Sequence, residues 1–192
     1  MTTRSYGSHN TMVWEYMAIL RRITSNLRSI PNQDERRQNV AVCMIMAVAV
    51  VETFLNIFFR LKVKEPSYAV HESYVLQCFA TRKTLEFKLK NWPKKILGAN
   101  INDTDVGKRF SKLKTKRNEL MHFIIPDDPV KVKGVTLRNF SEITFYNDLS
   151  ESDADDAVKT VEDFIQKILE SSGLSNPRLT GRMLFWTGRP PA

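Results

Sequence analysis

From Met12 to Ile30, the apolar residues Met12, Tyr16, Ile19, Ile23, Leu27 and Ile30 recur at three- and four-residue intervals, with arginines elsewhere on the wheel. That spacing predicts an amphipathic helix, stopped by Pro31. Asn32 or Asp34 is placed to cap a second helix, and Glu35 falls in its first turn, where the macrodipole favours an acid. This helix should run from about Asp34 to Lys62. Its Val40 to Phe59 stretch is almost unbroken apolar, with Glu52 as its single formal charge. Such a run has the length of a membrane span, but Glu52, Thr53 and Asn56 cluster in its second half and the other helices are amphipathic. We read it as a central helix buried on most sides.

Beyond Pro66-Ser67 the pattern resumes from Tyr68 to Lys90, with Tyr74, Cys78, Leu85 and Leu89 among lysines, which predicts a third helix. Pro93 and the Gly98 to Asp103 segment predict a loop. A fourth helix then starts at Thr104 or Asp105 and is ended by Pro126-Asp127-Asp128-Pro129. Val130 to Asn147 alternates with period two and predicts a short β-hairpin or extended loop. Ser150 followed by Asp153 has the form of a capping box, opening a last helix that carries Ala154, Val158, Val161, Phe164, Ile165, Ile168 and Leu169 and stops at Gly173. The tail from Leu174 to Ala192 holds three prolines and two glycines, yet also Leu179, Met183, Leu184, Phe185 and Trp186. It should be irregular, and either folded back on the body or a docking motif.

These elements predict an all-α fold, an antiparallel bundle of about five helices with a small β-hairpin inserted. A length of 192 residues with 42% hydrophobic suits one domain, 1–173, with its core over 12–125, the hairpin at 130–147, the last helix at 150–172 and the tail at 174–192. Seven glycines and no repeat argue against solenoids and glycine-rich phosphate loops. Cys43 and Cys78 give neither a disulfide framework nor metal-ligand spacing and read as reduced core residues. His71 has no spaced partner and reads as a surface or half-buried residue rather than a ligand. A polar N-terminus without an apolar signal segment points to the cytoplasm.

Charge changes the picture more than composition does. The net charge is +8, but Arg60 to Arg117 holds fifteen Lys and Arg against five acids, while Glu151 to Glu170 holds seven acids against two lysines. A basic region of that density suits a polyanion such as nucleic acid.

The candidate chemistry sits where the basic region ends, in Lys112 to Phe123. Phe110, Leu113, Arg117, Leu120 and Ile124 share one line of a helix, so Arg117 interrupts an apolar stripe; Ser111, Thr115, Asn118 and His122 form a polar line beside it. A guanidinium on such a stripe wants an anion. Glu52, isolated in the apolar helix with Asn56 one turn on, is the expected partner. Histidine is the side-chain type that can titrate near neutrality, so His122 is the candidate to move a proton. Arg117 can hold two phosphate oxygens at once. Asn118 would orient the phosphate or the imidazole, and Lys112, Lys114 and Lys116 would draw an RNA backbone.

Arg117-Asn118-Glu119-Leu120-Met121-His122 resembles the Arg-X4-6-His signature of the HEPN superfamily, in the form with a polar residue after the arginine. Val50 to Asn56 is similar to the helix from which those proteins supply an acid. The resemblance covers about Asp34 to Ile125. It implies a dimerising helical bundle acting as an endoribonuclease without metal or cofactor, often as a toxin or in phage defence, with RNA as substrate; an antitoxin or regulatory protein is the partner that a docking tail would recruit. Arg117 and His122 lie about 140° apart on one helix, so a site shared between two copies would close around a phosphate better than one chain. The competing expectations are a non-catalytic module of the same fold that binds a nucleotide or RNA, and a helical dimer whose tail recruits another protein.

Overall fold

The computed structural model describes residues 10–122, 130–132, 135–137 and 144–191, and over them the chain is all-α apart from one short strand pair. The helices are α1 (Thr11–Asn26), α2 (Gln33–Lys62), α3 (Glu72–Ala80), α4 (Leu85–Leu97), α5 (Asp105–His122), α6 (Thr144–Asn147), α7 (Glu151–Ser171) and α8 (Asn176–Thr187). Turns of 3-10 helix at Leu27–Ser29, Pro66–His71 and Ile101–Asp103 link or extend them.

α2 is the axis. The Asn32 side chain accepts from the Glu35 amide at 3.0 Å and caps it, with Asp34 and Glu35 in its first turn. Its apolar run meets α1, α5 and α7, leaving Val40, Cys43, Ala47, Val50, Val51, Phe54, Leu55 and Phe59 without solvent exposure. Long and apolar enough to cross a membrane, α2 instead has 56% of its most apolar window buried inside the fold. Phe59 meets Trp92 of α4 at 5.6 Å, and Phe110 of α5 meets Phe164 of α7 at 4.8 Å, so ring contacts tie α4 to α2 and α5 to α7.

Several expectations are corrected. The helix expected from Tyr68 to Lys90 is broken between α3 and α4, where Arg82 takes φ 49°, a left-handed conformation that a non-glycine residue adopts only at a break. Pro93 lies inside α4 rather than in a loop; its carbonyl accepts from the amides of Gly98 and Ala99 at the helix end. The tail is helical over α8, not irregular. Pro177 occupies the first turn, where a missing amide proton costs nothing, and Gly188 closes the helix at φ 74°. Two of the prolines and glycines that made the tail look irregular thus begin and end a helix.

α8 is folded back on α1 and α7. Trp186 packs edge-on against Phe54 at 5.1 Å, Arg21 donates to the Thr187 carbonyl, and Asn10 donates to the Phe185 carbonyl. In the 130–147 segment, β1 (Val130–Val132) and β2 (Val135–Leu137) pair antiparallel with Val130 opposite Leu137, while Thr144–Asn147 is helical rather than extended.

Candidate nucleic-acid site on α5

α5 begins at a tight junction. Gly107 lies so close to the Ile101–Asp103 turn that a Cβ there would stand 2.0 Å from the Ile101 carbonyl oxygen. The Gly107 amide donates to the Thr104 hydroxyl at 3.1 Å, which caps the helix. Beyond that junction Phe110 and Leu113 are buried, Leu120 packs on the core, and Ile124 lies outside the described residues. The polar line starts at exposed Ser111 and Thr115, whose hydroxyl donates back to the Ser111 carbonyl at 3.1 Å.

Arg117 is half-buried, and its Nε is shielded from solvent with no hydrogen-bond partner among the described residues. The expected Glu52–Arg117 pair is not formed. Glu52 Oε1 accepts from Lys88 Nζ of α4 at 3.2 Å, and Lys88 is the buried member, its side chain 8% exposed against 39% for Glu52. Glu52 therefore compensates a lysine that the sequence reading overlooked. The signal was present: Leu85, Lys88, Leu89, Trp92 and Ile96 share one face of α4, so Lys88 interrupts that apolar stripe as Arg117 interrupts the stripe of α5. Asn56 Oδ1 is also buried without a partner among the described residues.

The three expected RNA-facing lysines are not equivalent. Lys114 bridges to Glu86 of α4, and Lys116 bridges to Asp153 of α7 at 3.0 Å. Lys112 is exposed on the rim of a cavity of about 220 Å³ that Arg109, Asp153 and Asp156 also line. Arg109 pairs with Asp163 at 2.7 Å. The acidic run of α7 thus neutralises part of the basic run of α5, and the charge asymmetry of the sequence is smaller in space than along the chain.

Burial, and after it the charge of Arg117, hold the Lys114 ammonium below its ordinary lysine range. Its partner Glu86 is 66% exposed, so solvent screens most of the opposing pull. Burial pushes the Asp153 carboxyl up, but hydrogen bonds from Lys116 and from the Ser150 amide and hydroxyl outweigh it and leave the group below the usual carboxylate range.

Asn118 is half-buried one residue beyond Arg117, and His122 closes the helix with its side chain outside the described residues. The structure therefore puts Arg117, Asn118, Lys114 and the end of α5 together, and takes Glu52 into a separate bridge. Among the described residues, no three His, Cys, Asp or Glu side chains converge as a metal would require. No family model matches the chain, and no curated protein or solved structure aligns with it significantly.

Proposed function

We propose that the end of α5 is a phosphodiester site and that the chain is a metal-independent endoribonuclease of HEPN type, of the toxin or phage-defence kind. The same reading takes the helices as an antiparallel bundle, with β1 and β2 as an inserted hairpin. The observation that carries it is Arg117. Its guanidinium is half-buried beside the partly desolvated Lys114, and no carboxylate bridges it among the described residues. Among the described residues Arg117 has no acid of its own and Lys114 beside it is bridged only by the largely exposed Glu86, so a phosphate on the guanidinium gains from the positive charge of Lys114 as well.

The chemistry follows from the groups available. His122 takes the proton of an RNA 2′-hydroxyl, the freed oxygen attacks the adjacent phosphorus, and Arg117 holds the equatorial oxygens as negative charge builds on them. The bond to the 5′-oxygen breaks, leaving a 2′,3′-cyclic phosphate, and that oxygen needs a proton in return. A second His122, from another copy in a twofold dimer, supplies it from the opposite side. Asn118 orients the phosphate.

Labelled RNA incubated with the protein in excess chelator tests this. Arg117→Ala and His122→Ala should each slow cleavage by about a hundredfold or more; undiminished cleavage in either removes the site. One observation favours a second reading, an RNA-binding module without cleavage: Glu52 serves Lys88, so it does not hold Arg117 in a catalytic position. Under that reading the wild-type protein retains RNA that it never cuts.

A further inference from the structure

α8 presents two faces at helical spacing. Leu179, Met183 and Trp186 are buried against the body, while Arg178, Arg182 and Phe185 form an exposed line at intervals of four and three residues. That line borders an open groove of about 590 Å³, lined also by Lys62 at the end of α2, Glu65 and Leu174. Such a volume suits a small organic ligand or one nucleotide of a strand.

The lining is cationic and aromatic together. Arg178 and Arg182 bridge no carboxylate among the described residues, and Lys62 is paired with Glu65 at 2.8 Å, so the groove holds three cations against one acid. The Arg182 guanidinium lies 5.9 Å from the Phe185 ring, which is 38% exposed. Gly181 keeps the space between the arginines open, since a Cβ there would meet nothing within 4 Å. The wall is held in place before any ligand arrives, because Phe185 and Thr187 have their carbonyls engaged by Asn10 and Arg21.

We infer that this groove binds single-stranded nucleic acid, with one phosphate on Arg178 and Arg182 and the adjoining base stacked on Phe185. An arginine pair alone would suit any acidic partner. The exposed ring beside the guanidinium selects a ligand in which a planar base is joined to a phosphate. The groove is independent of chemistry at α5, and it stands whether or not Arg117 and His122 cleave RNA.

A fluorescent 2′-O-methyl oligoadenylate, which lacks the attacking hydroxyl, separates the two questions by anisotropy at low and moderate salt. The full chain should bind it. Arg178→Ala with Arg182→Ala should weaken binding about tenfold or more, and so should Gly181→Leu, which fills the groove without a clash and favours the helix. An abasic strand of equal charge should bind the wild type about tenfold less well, and Phe185→Ala should abolish that difference. The inference is overturned if the wild type does not bind, if the groove variants bind as the wild type does, if the abasic strand binds equally, or if a glutamate peptide competes as well as the oligonucleotide. Arg117→Ala, measured beside them, reports on α5 alone.

Discussion

Lys88 Nζ donates to Glu52 Oε1 across 3.2 Å, joining α4 to α2 where the apolar run of α2 is interrupted. Lys88 is the buried partner, so removing Glu52 strands an ammonium at low dielectric, while removing Lys88 leaves a carboxylate that solvent reaches.

Double-mutant cycles should therefore couple Glu52 to Lys88 and not to Arg117. Unfolding measured in denaturant for Glu52→Gln, Lys88→Met and the pair should give a coupling of about 1–2 kcal/mol, reduced from that of a fully buried bridge because Glu52 is part-exposed. The cycle of Glu52→Gln with Arg117→Gln should be additive within about 0.5 kcal/mol. The opposite ordering would mean that Glu52 holds the arginine after all.

Gly107 and Gly181 should respond to alanine with opposite signs. At Gly107 the new methyl meets backbone of the Ile101–Asp103 turn, and that junction must open at a cost of about 1–3 kcal/mol. At Gly181 it meets open space, and removing a glycine from a helix interior stabilises by about 0.5–1 kcal/mol. Melting temperatures of the two variants check this, and a fall at both would mean that α8 does not pack as described.

Asp153 joins α5 to α7 while capping α7, and its pKa is depressed in the folded state. A depressed carboxyl contributes stability that is present above the unfolded value and disappears as pH falls through the folded one. Asp153→Asn should cost about 1 kcal/mol at neutral pH, as loss of a cap does. The gap to the wild type should narrow only below the ordinary carboxylate range. Urea unfolding across acid pH reads the narrowing; a gap constant down to the most acid point would contradict the assignment.

Lys114 should titrate below the ordinary lysine range, because burial and then Arg117 disfavour its charge. In a lysine side-chain NMR titration, Arg117→Gln should move Lys114 part of the way back up, leaving the larger burial contribution. A Lys114 resonance that titrates within the ordinary lysine range in the wild type would remove the neighbouring desolvated cation on which the phosphate site is argued.

The elements legible from periodicity were those whose apolar lines are long. α1, α2, α5 and α7 repeat their stripes over several turns, and two of the starts are marked by side chains that accept a terminal amide, Asn32 from Glu35 and Asp153 from Ser150. α8 was missed because Pro177 and Gly188 look like breakers unless their place in a helix is already known. α4 was misjudged because Pro93 sits within it, and its own carbonyl accepts the amides that close the helix.

Sequence alone determined the all-α character, the central place of α2, and the presence of Arg117, Asn118 and His122 on one helix, since each depends on spacing within a single element. The three-dimensional packing decided which charges meet. A carboxylate pairs with the cation that has least water around it, and burial depends on all the helices around a residue. Hence Glu52 went to Lys88, Lys116 and Arg109 went to the acids of α7, and Arg117 kept a buried Nε with no bonding partner among the described residues.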